Sequence, residues 1–154
     1  VKGVTGAGQT ALDRNGGSAN WQCVDEASAD NGSTYVYRYG SYATDTYALE
    51  DVTSGTCNIT GVTVYARGYK ATLLISGHLR TVLRIGSTNY QGAVKNLGNS
   101  WTTFSDTWST NPATGAAWAW ADINSLEAGV SLESSSPIFA SLCTQVYVVV
   151  AYAP

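Results

Sequence analysis

Short segments rich in Val, Tyr, Thr and Ile, separated by residues that favour turns, run through most of this chain. β-Branched and aromatic residues favour extended backbone, whereas Gly, Asn and Pro favour chain reversals. The predicted strands lie near residues 21–24, 34–39, 45–50, 59–67, 71–76, 79–85, 88–94, 101–108, 130–134 and 142–152. Ten short strands with short connections predict an all-β fold, an antiparallel β-sandwich of two packed sheets.

Turn chemistry and one helical pattern complete this prediction. Thr53-Ser54-Gly55 and Ser76-Gly77 are among the segments that favour a reversal. One short helix is predicted from Trp120 to Ala128, with Gly129 as a left-handed C-terminal cap. Its N-cap position, Ala119, lacks the hydroxyl that most often caps a helix.

The last predicted strand differs from the others in its apolar pattern. Strand 59–67 alternates apolar and polar side chains, which predicts one buried and one exposed face. The segment Val146 to Tyr152 is apolar on both faces, as expected of a central strand or of one covered by another subunit. With 44% hydrophobic residues in 154, the chain can bury a sizeable core.

Residues 1–20 have a different composition, with many Gly residues, few apolar side chains and no helical period. We therefore divide the chain into an extended N-terminal arm, 1–20, and a β-sandwich domain, 21–154. Because backbone pairing asks little of side chains, the arm is a candidate inter-subunit strand. A loose leader is the alternative. The residues expected to make the inter-subunit contact are Val1, Val4, Thr10 and Leu12.

Charge excludes several classes of partner. Only 12% of residues are charged, the formal net charge is −3, and the eight Lys and Arg are scattered along the chain. We therefore expect neither a nucleic acid nor an anionic membrane surface as partner. No apolar run approaches the length of a membrane span, so no membrane insertion is expected. Low charge, together with Val1 where an initiator Met would stand, favours a processed protein, extracellular or in a virion.

No catalytic constellation is evident. His78 is the only histidine and no G-x-S-x-G motif accompanies it, so it is expected to be a surface turn residue rather than a triad base. Asp25, Glu26, Asp30 and Asn31 form an oxygen-rich cluster that could hold calcium, although turn formation and solvation also account for it. The prediction is a non-enzymatic protein without metal or other cofactor.

A glycosidase would need two carboxylates at a defined separation, which sequence alone does not give. The residues considered for such a pair are Glu50, Asp51, Glu127 and Glu133.

Three cysteines and two sequons raise the question of modification. Cys23, Cys57 and Cys143 lie too far apart in sequence for a zinc motif. Cys23 and Cys143 are the preferred pair for a disulfide, with three reduced thiols as the alternative. Asn31 and Asn58 begin Asn-X-Ser/Thr sequences and are possible glycosylation sites if the protein is secreted.

The chain contains many large aromatic side chains, five Trp and ten Tyr. Trp118 and Trp120 alternate just before the predicted helix and are candidates for stacking on sugars. Tyr35, Tyr37 and Tyr39 share one face of a predicted strand. Aromatic rings in sandwiches also fill cores and subunit contacts, so packing is the competing interpretation.

Two motifs carry a resemblance to a known group of proteins. The segment from Trp108 to Val130, containing Asn111-Pro112 and Trp118-Ala119-Trp120-Ala121-Asp122, and the segment from Cys143 to Val148 resemble uncharacterised structural proteins of tailed phages and mobile elements. That resemblance implies a jelly-roll-like fold and no catalytic residues. The arm at 1–20 falls outside it.

Two functional hypotheses follow. The first is a non-enzymatic structural subunit whose partners are copies of itself, and which self-assembles into an extracellular filament or a virus particle, as shell or tail component, by inter-subunit β-strand addition. The alternative is a carbohydrate-binding module that uses exposed Trp and Tyr.

Overall fold

The computed structural model describes residues 1–52 and 55–154. It confirms the predicted fold class, an all-β, jelly-roll-like antiparallel sandwich with one short helix. The described elements are β1 (Lys2–Ala7), β2 (Asp13–Asn15), a 3-10 turn (Asn20–Cys23), β3 (Tyr35–Arg38), β4 (Ala43–Leu49), β5 (Asn58–Lys70), β6 (Gly77–Ile85), β7 (Thr88–Gln91), β8 (Lys95–Asn96), β9 (Thr102–Trp108), α1 (Trp120–Ser125), β10 (Glu127–Ser134) and β11 (Ser141–Ala153).

The strands form two sheets joined by one shared strand. Sheet A has the order β2-β3-β11-β5-β9, and sheet B has the order β4-β10-β6, with β7 and β8 both paired to β6. β1 belongs to both sheets: Lys2 and Gly3 pair with β11, and Val4 to Ala7 pair with β4 across a register shift. This shift lets β1 cross from one sheet to the other and close one side of the sandwich.

Alternation of side chains places the core between the sheets, as the sequence predicted for β5. Val62, Val64 and Ala66 are fully buried, whereas Thr63 and Tyr65 lie on the outward face. In β11 the pattern is only partly as expected. Residues 141–146 are all buried, but the strand's last residues, 151–153, are exposed within the single chain.

A buried carboxylate fixes the N-terminal segment to the sandwich. Asp45 of β4 is fully buried, and its Oδ1 accepts hydrogen bonds from the backbone amides of Ala11 (2.6 Å) and Leu12 (2.8 Å). Its Oδ2 accepts from Asn20 Nδ2 (2.8 Å) and from the Tyr47 hydroxyl (3.1 Å). Burial raises the pKa of Tyr47 well above its ordinary value, so that hydroxyl keeps its proton and remains a donor.

This arrangement corrects the division of the chain at residue 20. Within the single chain the first twenty residues are not a separate arm, because β1 and β2 pair in the sandwich's own sheets. Val4 and Leu12 are buried in its core, whereas Val1 and Thr10 are exposed. The sequence missed β1 because its Gly-rich composition hides a strand that is held by backbone pairing. Pairing of this segment with a second subunit remains a prediction.

Several local predictions also need correction. Residues 21–24 lie mostly in a 3-10 turn and residues 71–76 form a loop, although both segments have strand-like composition. The helix ends at Ser125, and Gly129 lies inside β10 rather than capping it, because β10 pairs on both sides with β4 and β6. The predicted turn Thr53-Ser54-Gly55 includes residues 53–54, which lie outside the described residues.

One further feature concerns the N-cap of the helix. Asp122 Oδ2 accepts a hydrogen bond from the Ala119 amide (2.9 Å), so a carboxylate inside the helix bonds back to the capping residue that lacks a hydroxyl.

Across residues 1–52 and 55–154, the structure contains no helix of the length and hydropathy needed to cross a membrane.

Replacing Asp45 tests whether this carboxylate secures the fold. Asp45→Asn keeps the side-chain shape but presents an amide donor to groups that are themselves donors. We expect the free energy of unfolding to fall by about 3 kcal/mol, since hydrogen bonds to a buried charge are lost and donors are left unpaired. Urea denaturation followed by tryptophan fluorescence measures this loss. Asp13→Asn, at an exposed position, is the matched control, and equal stabilities for the two variants would contradict the prediction.

Candidate functional site

A cavity of about 780 Å³ opens beside β11 in sheet A. It exists because two different strands pair with the same side of β11. β3 pairs with Ser141 to Cys143, and β1 pairs with Tyr147 and Val148. The gap between them is bordered by the loop that precedes β3. The lining residues are Val1, Gly3, Val4, Thr5, Asp25, Glu26, Ala27, Ser28, Ala29, Glu50, Gln145, Val146 and Tyr147.

The loop is attached to β11 by hydrogen bonds that take the place of strand pairing. The Val146 amide donates to the Val24 carbonyl (3.0 Å), and Gln145 Nε2 donates to the Glu26 carbonyl (2.9 Å). The Thr144 hydroxyl lies 2.8 Å from the Thr34 carbonyl. These contacts hold one wall of the cavity in place.

Two tyrosine rings stand at the edge of this cavity on the outward face of sheet A. Tyr65 of β5 and Tyr147 of β11 are register partners, and their rings stack with centroids 4.8 Å apart and an angle of 4° between planes. Both side chains are half-buried, so part of each ring faces solvent. Tyr147 also lines the cavity. The pair therefore joins an aromatic surface to a polar recess.

Further aromatic pairs extend along the same face. Tyr69 follows Tyr65 by four residues on β5, which places it about 13 Å further along the strand. Its ring stacks on Trp101 with centroids 5.0 Å apart. Tyr37 contacts both Tyr35 and Tyr39 edge to face, at 5.9 and 5.5 Å. The predicted common face of these three tyrosines is therefore present, and it lies near the same end of the sheet as Tyr69.

Polar groups lie between the two stacked pairs. Arg67 of β5 is the register partner of Gln145, a lining residue of the cavity whose Nε2 donates to the loop. Arg67 Nε donates to Asn31 Oδ1 (2.8 Å), and Arg67 Nη1 donates to Thr103 Oγ1 (3.2 Å). These contacts fix the guanidinium plane on the outward face, where its other N–H groups can donate to a ligand.

Beside the cavity, the hydroxyl of Thr34 lies between the carboxyl groups of Glu26 and Asp30. Thr34 Oγ1 lies 2.6 Å from both Glu26 Oε1 and Asp30 Oδ2, yet a hydroxyl has a single proton to donate. Burial raises the pKa of Glu26. Burial also acts to raise the pKa of Asp30, but hydrogen bonds from Thr34 and Thr144 outweigh it and hold that pKa below its ordinary value. The protonated form is therefore favoured more at Glu26 than at Asp30.

The two tryptophans proposed for sugar stacking do not form such a surface. Trp118 is buried, 5% exposed, and its Nε1 donates to the Trp108 carbonyl (2.9 Å). Trp120 is half-buried, and its Nε1 donates to the Cys57 carbonyl (3.0 Å). Trp118 is thus a core residue, and the Trp118 prediction is wrong because a buried ring has no face for a ligand. Trp120 contributes instead to a smaller recess beside Tyr152.

The remaining catalytic candidates are dispersed. His78 lies on β6 rather than in a turn, and its Nδ1 is 2.6 Å from Glu133 Oε1. Glu127 Oε1 accepts from Thr46 Oγ1 (2.8 Å). Glu127 and Glu133 both belong to sheet B, whereas Glu50 lines the cavity beside sheet A. The structure therefore does not bring the four carboxylates considered for glycoside hydrolysis into one site.

The acidic cluster predicted from the sequence does assemble. Asp25 and Glu26 line the cavity, and Asp30 is joined to Glu26 through Thr34. Burial raises the pKa of Asp25. Within residues 1–52 and 55–154, no group of three or more His, Cys, Asp or Glu has an arrangement suited to a metal ion.

The three cysteines are free thiols in this structure. Cys23 Sγ contacts the Gly16 carbonyl (3.3 Å), and Cys143 Sγ contacts the Gln145 carbonyl (3.5 Å). Because each thiol faces backbone carbonyls, the predicted Cys23–Cys143 bridge does not form. Burial raises the pKa of Cys143 to about 12, which makes it an unreactive core residue.

The two predicted glycosylation sites remain predictions. Asn31 is half-buried and its side-chain oxygen accepts from Arg67, whereas Asn58 is exposed at the first residue of β5. Sequence reasoning did not single out Tyr147 and Tyr65 as a pair. The alternation of β5 placed Tyr65 on the outward face, but the register of β11 against β5 was needed to place Tyr147 beside it.

No protein-family model matches the chain, and no curated protein matches it in sequence. The CBM22-1 xylan-binding domain from Paenibacillus barcinonensis Xyn10C overlaps 99% of this chain and 88% of its own, with a TM-score of 0.49 and 11% identity. A family 16 carbohydrate-binding module overlaps 78% and 79%, with a TM-score of 0.42 and 13% identity.

A phage protein is also among the structural neighbours. The enzymatically active domain of bacteriophage CBA120 tailspike protein 4 overlaps 92% of this chain but 19% of its own, with a TM-score of 0.44 and 15% identity. The resemblance to phage structural proteins has no support from a sequence family. At TM-scores below 0.5, these overlaps assign neither a family nor a ligand to the chain.

The opposite pKa shifts of Glu26 and Asp30 predict a pH dependence of stability. Because the pKa of Glu26 is raised in the folded state, the unfolded chain loses that proton first as pH rises above the ordinary value of 4.5. The contribution of Glu26 to the free energy of unfolding is therefore complete below pH 4.5, and it declines as the pH rises through the raised pKa of the folded state. Asp30 behaves oppositely, and its contribution is lost only below its ordinary value of 3.8.

Glu26→Gln should remove this decline, because its amide is a neutral donor at every pH. We expect the stability of the variant relative to the natural protein to increase from pH 4.5 to pH 7, as measured by urea denaturation at several pH values. Ser28→Ala, in the same loop and without a titratable group, is the control. A stability difference independent of pH would contradict the raised pKa of Glu26.

Proposed function

We propose that this chain is a non-catalytic carbohydrate-binding domain, and that its ligand lies across the outward face of sheet A at the mouth of the cavity. One observation carries this proposal: the stacked Tyr65–Tyr147 pair meets a recess of about 780 Å³ lined by carboxylates and an amide. A recess of this size with a few convergent polar groups is typical of ligand sites.

The chemistry of a sugar fits these two components. A pyranose ring has C–H groups that pack on an aromatic face, and hydroxyls around its edge that donate and accept hydrogen bonds. The exposed parts of the Tyr65 and Tyr147 rings supply the first kind of contact. The carboxyl groups of Glu50 and Asp25 supply the second at the cavity wall. Ionised carboxylates accept strong hydrogen bonds from hydroxyl groups.

Binding is favoured over hydrolysis by the way the carboxyl groups are held. Glu50 Oε1 accepts from the Gly3 amide (2.7 Å), and Glu26 Oε1 is bonded to Thr34 (2.6 Å). Each of these carboxyls therefore supports the cavity wall. Such fixed groups can orient a ligand, whereas a glycosidase needs two carboxyls that flank a scissile bond.

The length of the aromatic surface favours a chain of sugars over a single one. The second stacked pair, Tyr69 with Trp101, lies about 13 Å from the first along β5, with Arg67 between them. A polysaccharide strand lying along β5 would contact both pairs. A domain with this task acts outside the cell, which agrees with the expected extracellular location.

Removing the aromatic surface should abolish this binding. We expect Tyr147→Ala, or Tyr65→Ala, to weaken affinity for a soluble polysaccharide by at least about tenfold, the size of effect typical of a central aromatic contact. Affinity gel electrophoresis against a panel of neutral and acidic polysaccharides, followed by calorimetry on any ligand found, measures the effect. Tyr42→Ala is the matched control, because Tyr42 is exposed and lies away from the cavity. Equal binding by all three variants, or no binding to any polysaccharide, would contradict the proposal.

A second candidate function is self-association by exchange of the N-terminal strand. The observation that favours it is that β1 is joined to the rest of the sandwich by pairing with β11 and β4, together with the Lys2 contact to Ile123 and the burial of Val4, and a β1 from another copy can reproduce all of these contacts. The Asp45 carboxylate would then hold residues 11 and 12 of that other copy. This is the form in which inter-subunit strand addition fits the structure.

Cross-linking distinguishes exchange from pairing within one chain. Val4 and Leu49 are register partners on β1 and β4, so their Cα atoms lie within the range that a disulfide spans. In a Val4→Cys, Leu49→Cys, Cys57→Ser variant, exchange predicts a ladder of covalent oligomers on a non-reducing gel. A single band of internally linked chain would exclude exchange. The same variant kept reduced is the control.

A further inference from the structure

Exposed apolar side chains are concentrated at the two ends of this sandwich. Among the described residues, nine large apolar side chains are exposed. Six of them lie in three loops that follow β3, β5 and β10, and we call this surface the loop end: Tyr39, Tyr42, Leu73, Leu74, Ile138 and Phe139. Leu73, Leu74 and Ile138 are 74%, 86% and 71% exposed. Clustering of this kind marks an interaction surface.

The three loops form one continuous surface. The Ala71 amide donates to the Ala140 carbonyl (3.0 Å), and the Gly40 amide donates to the Ser136 carbonyl (3.2 Å). The charged residues at the ends of the flanking strands are Arg38 and Lys70, which donate to the carbonyls of Ser41 (2.6 Å) and Ile75 (2.9 Å), and Glu133, which is paired with His78. Residues 71–76 and 135–140 contain no charged side chain. The loop end is therefore apolar at its centre and positive at its rim, next to the mutually paired His78 and Glu133 (2.6 Å).

The opposite end has complementary properties, and we call it the helix end. It contains a recess of about 290 Å³ lined by Val1, Lys2, Val52, Gly55, Cys57, Trp120, Val150 and Tyr152. The Trp120 and Tyr152 rings meet there with centroids 5.8 Å apart, and Tyr152 is 61% exposed. The acidic residues at this end are Glu50 and Asp51, which interact electrostatically with Lys2, and Asp122 in the first turn of α1. Lys2 itself lines the recess, and its buried ammonium donates to the Ile123 carbonyl, so three carboxyl groups face one ammonium at this end.

These two surfaces lie on opposite sides of the molecule. β5 and β11 each contain thirteen residues and pair along their length, with Lys70 opposite Ser141 and Asn58 opposite Ala153. A strand of that length spans about 43 Å. A single molecule therefore cannot bring its own two ends together, so an apolar, positive surface and an apolar, negative surface both remain unpaired.

We infer that the loop end of one copy of this chain docks on the helix end of a second copy. Leu73, Leu74 and Ile138 pack against the Trp120–Tyr152 recess, and Arg38 and Lys70 approach the acidic rim of the partner. Because the two contact surfaces differ, each added copy leaves one free end of each kind. Such a heterologous contact does not close on itself and produces linear chains of subunits. It requires no movement of β1, so it is independent of strand exchange. Val1 and Glu50 also line the cavity of the proposed sugar site, but Tyr65 and Tyr147, on which that proposal rests, lie within the strands and at neither end.

Three single substitutions test this contact on the intact chain. Leu74→Asp places a charge at the centre of the loop end, and Tyr152→Asp adds negative charge to the helix end. Each should lower the association constant by at least about tenfold, as measured by sedimentation velocity over a range of protein concentrations. Val94→Asp is the matched control, since Val94 is exposed to 51% and belongs neither to the three loops of the loop end nor to the recess of the helix end. It should leave association unchanged.

Mixing the first two variants gives the sharper result. A Leu74→Asp copy keeps an intact helix end, and a Tyr152→Asp copy keeps an intact loop end. Neither variant should associate alone, but an equimolar mixture should form one-to-one dimers and nothing longer. Dimers of the Tyr152→Asp variant alone would indicate a symmetric loop-to-loop contact and overturn the inference. So would a natural chain that stays monomeric, or a loop end that binds anionic vesicles while the chain does not self-associate.

Strand exchange is distinguishable in the same experiment. Leu74→Asp leaves β1, β4 and their partners untouched, so covalent oligomers formed through the paired cysteines at positions 4 and 49 would persist in that variant. Loss of association with Leu74→Asp, without any such oligomers, supports the end-to-end contact. Persistence of full association in Leu74→Asp would refute it.

Discussion

The buried Asp45 carboxylate is the interaction on which the arrangement of this sandwich depends. It accepts hydrogen bonds from Ala11, Leu12, Asn20 and Tyr47, and thereby fixes the route of the chain between β1 and the 3-10 turn. The loop before β3 follows this turn and is then held against β11 by hydrogen bonds from Val146 and Gln145. A buried charge is costly unless its hydrogen bonds are complete, so this single residue imposes a definite path on a Gly-rich segment.

The candidate site follows from the same path. Since β3 and β1 pair with different parts of β11, a space remains between them, and the loop that carries Asp25 and Glu26 closes one side of it. Tyr147 reaches this space because it lies on the outward face of the strand that both neighbours share. The recess and its aromatic edge are thus consequences of strand pairing rather than of a separate insertion.

The sequence predicted the fold class and most of the strands because alternation and turn residues are local signals. Eight of the ten predicted segments overlap observed strands. Local signals failed where long-range contacts decide the structure: β1 is a strand because β11 and β4 supply its hydrogen bonds, and Gly129 is extended because it lies between β4 and β6. The Tyr65–Tyr147 pair likewise depends on the register of distant strands. Trp118 was predicted to stack on a sugar although it is buried, because aromatic composition does not distinguish a core ring from an exposed one.

The crossing of β1 from one sheet to the other has a mechanical consequence. A tensile load applied through the N-terminal segment would be carried by hydrogen bonds to β11 and to β4 at the same time. Neither sheet can therefore be peeled from the other while β1 remains in place. The sandwich should resist force until β1 is released and should then unfold cooperatively. This property is useful for any protein that experiences tension.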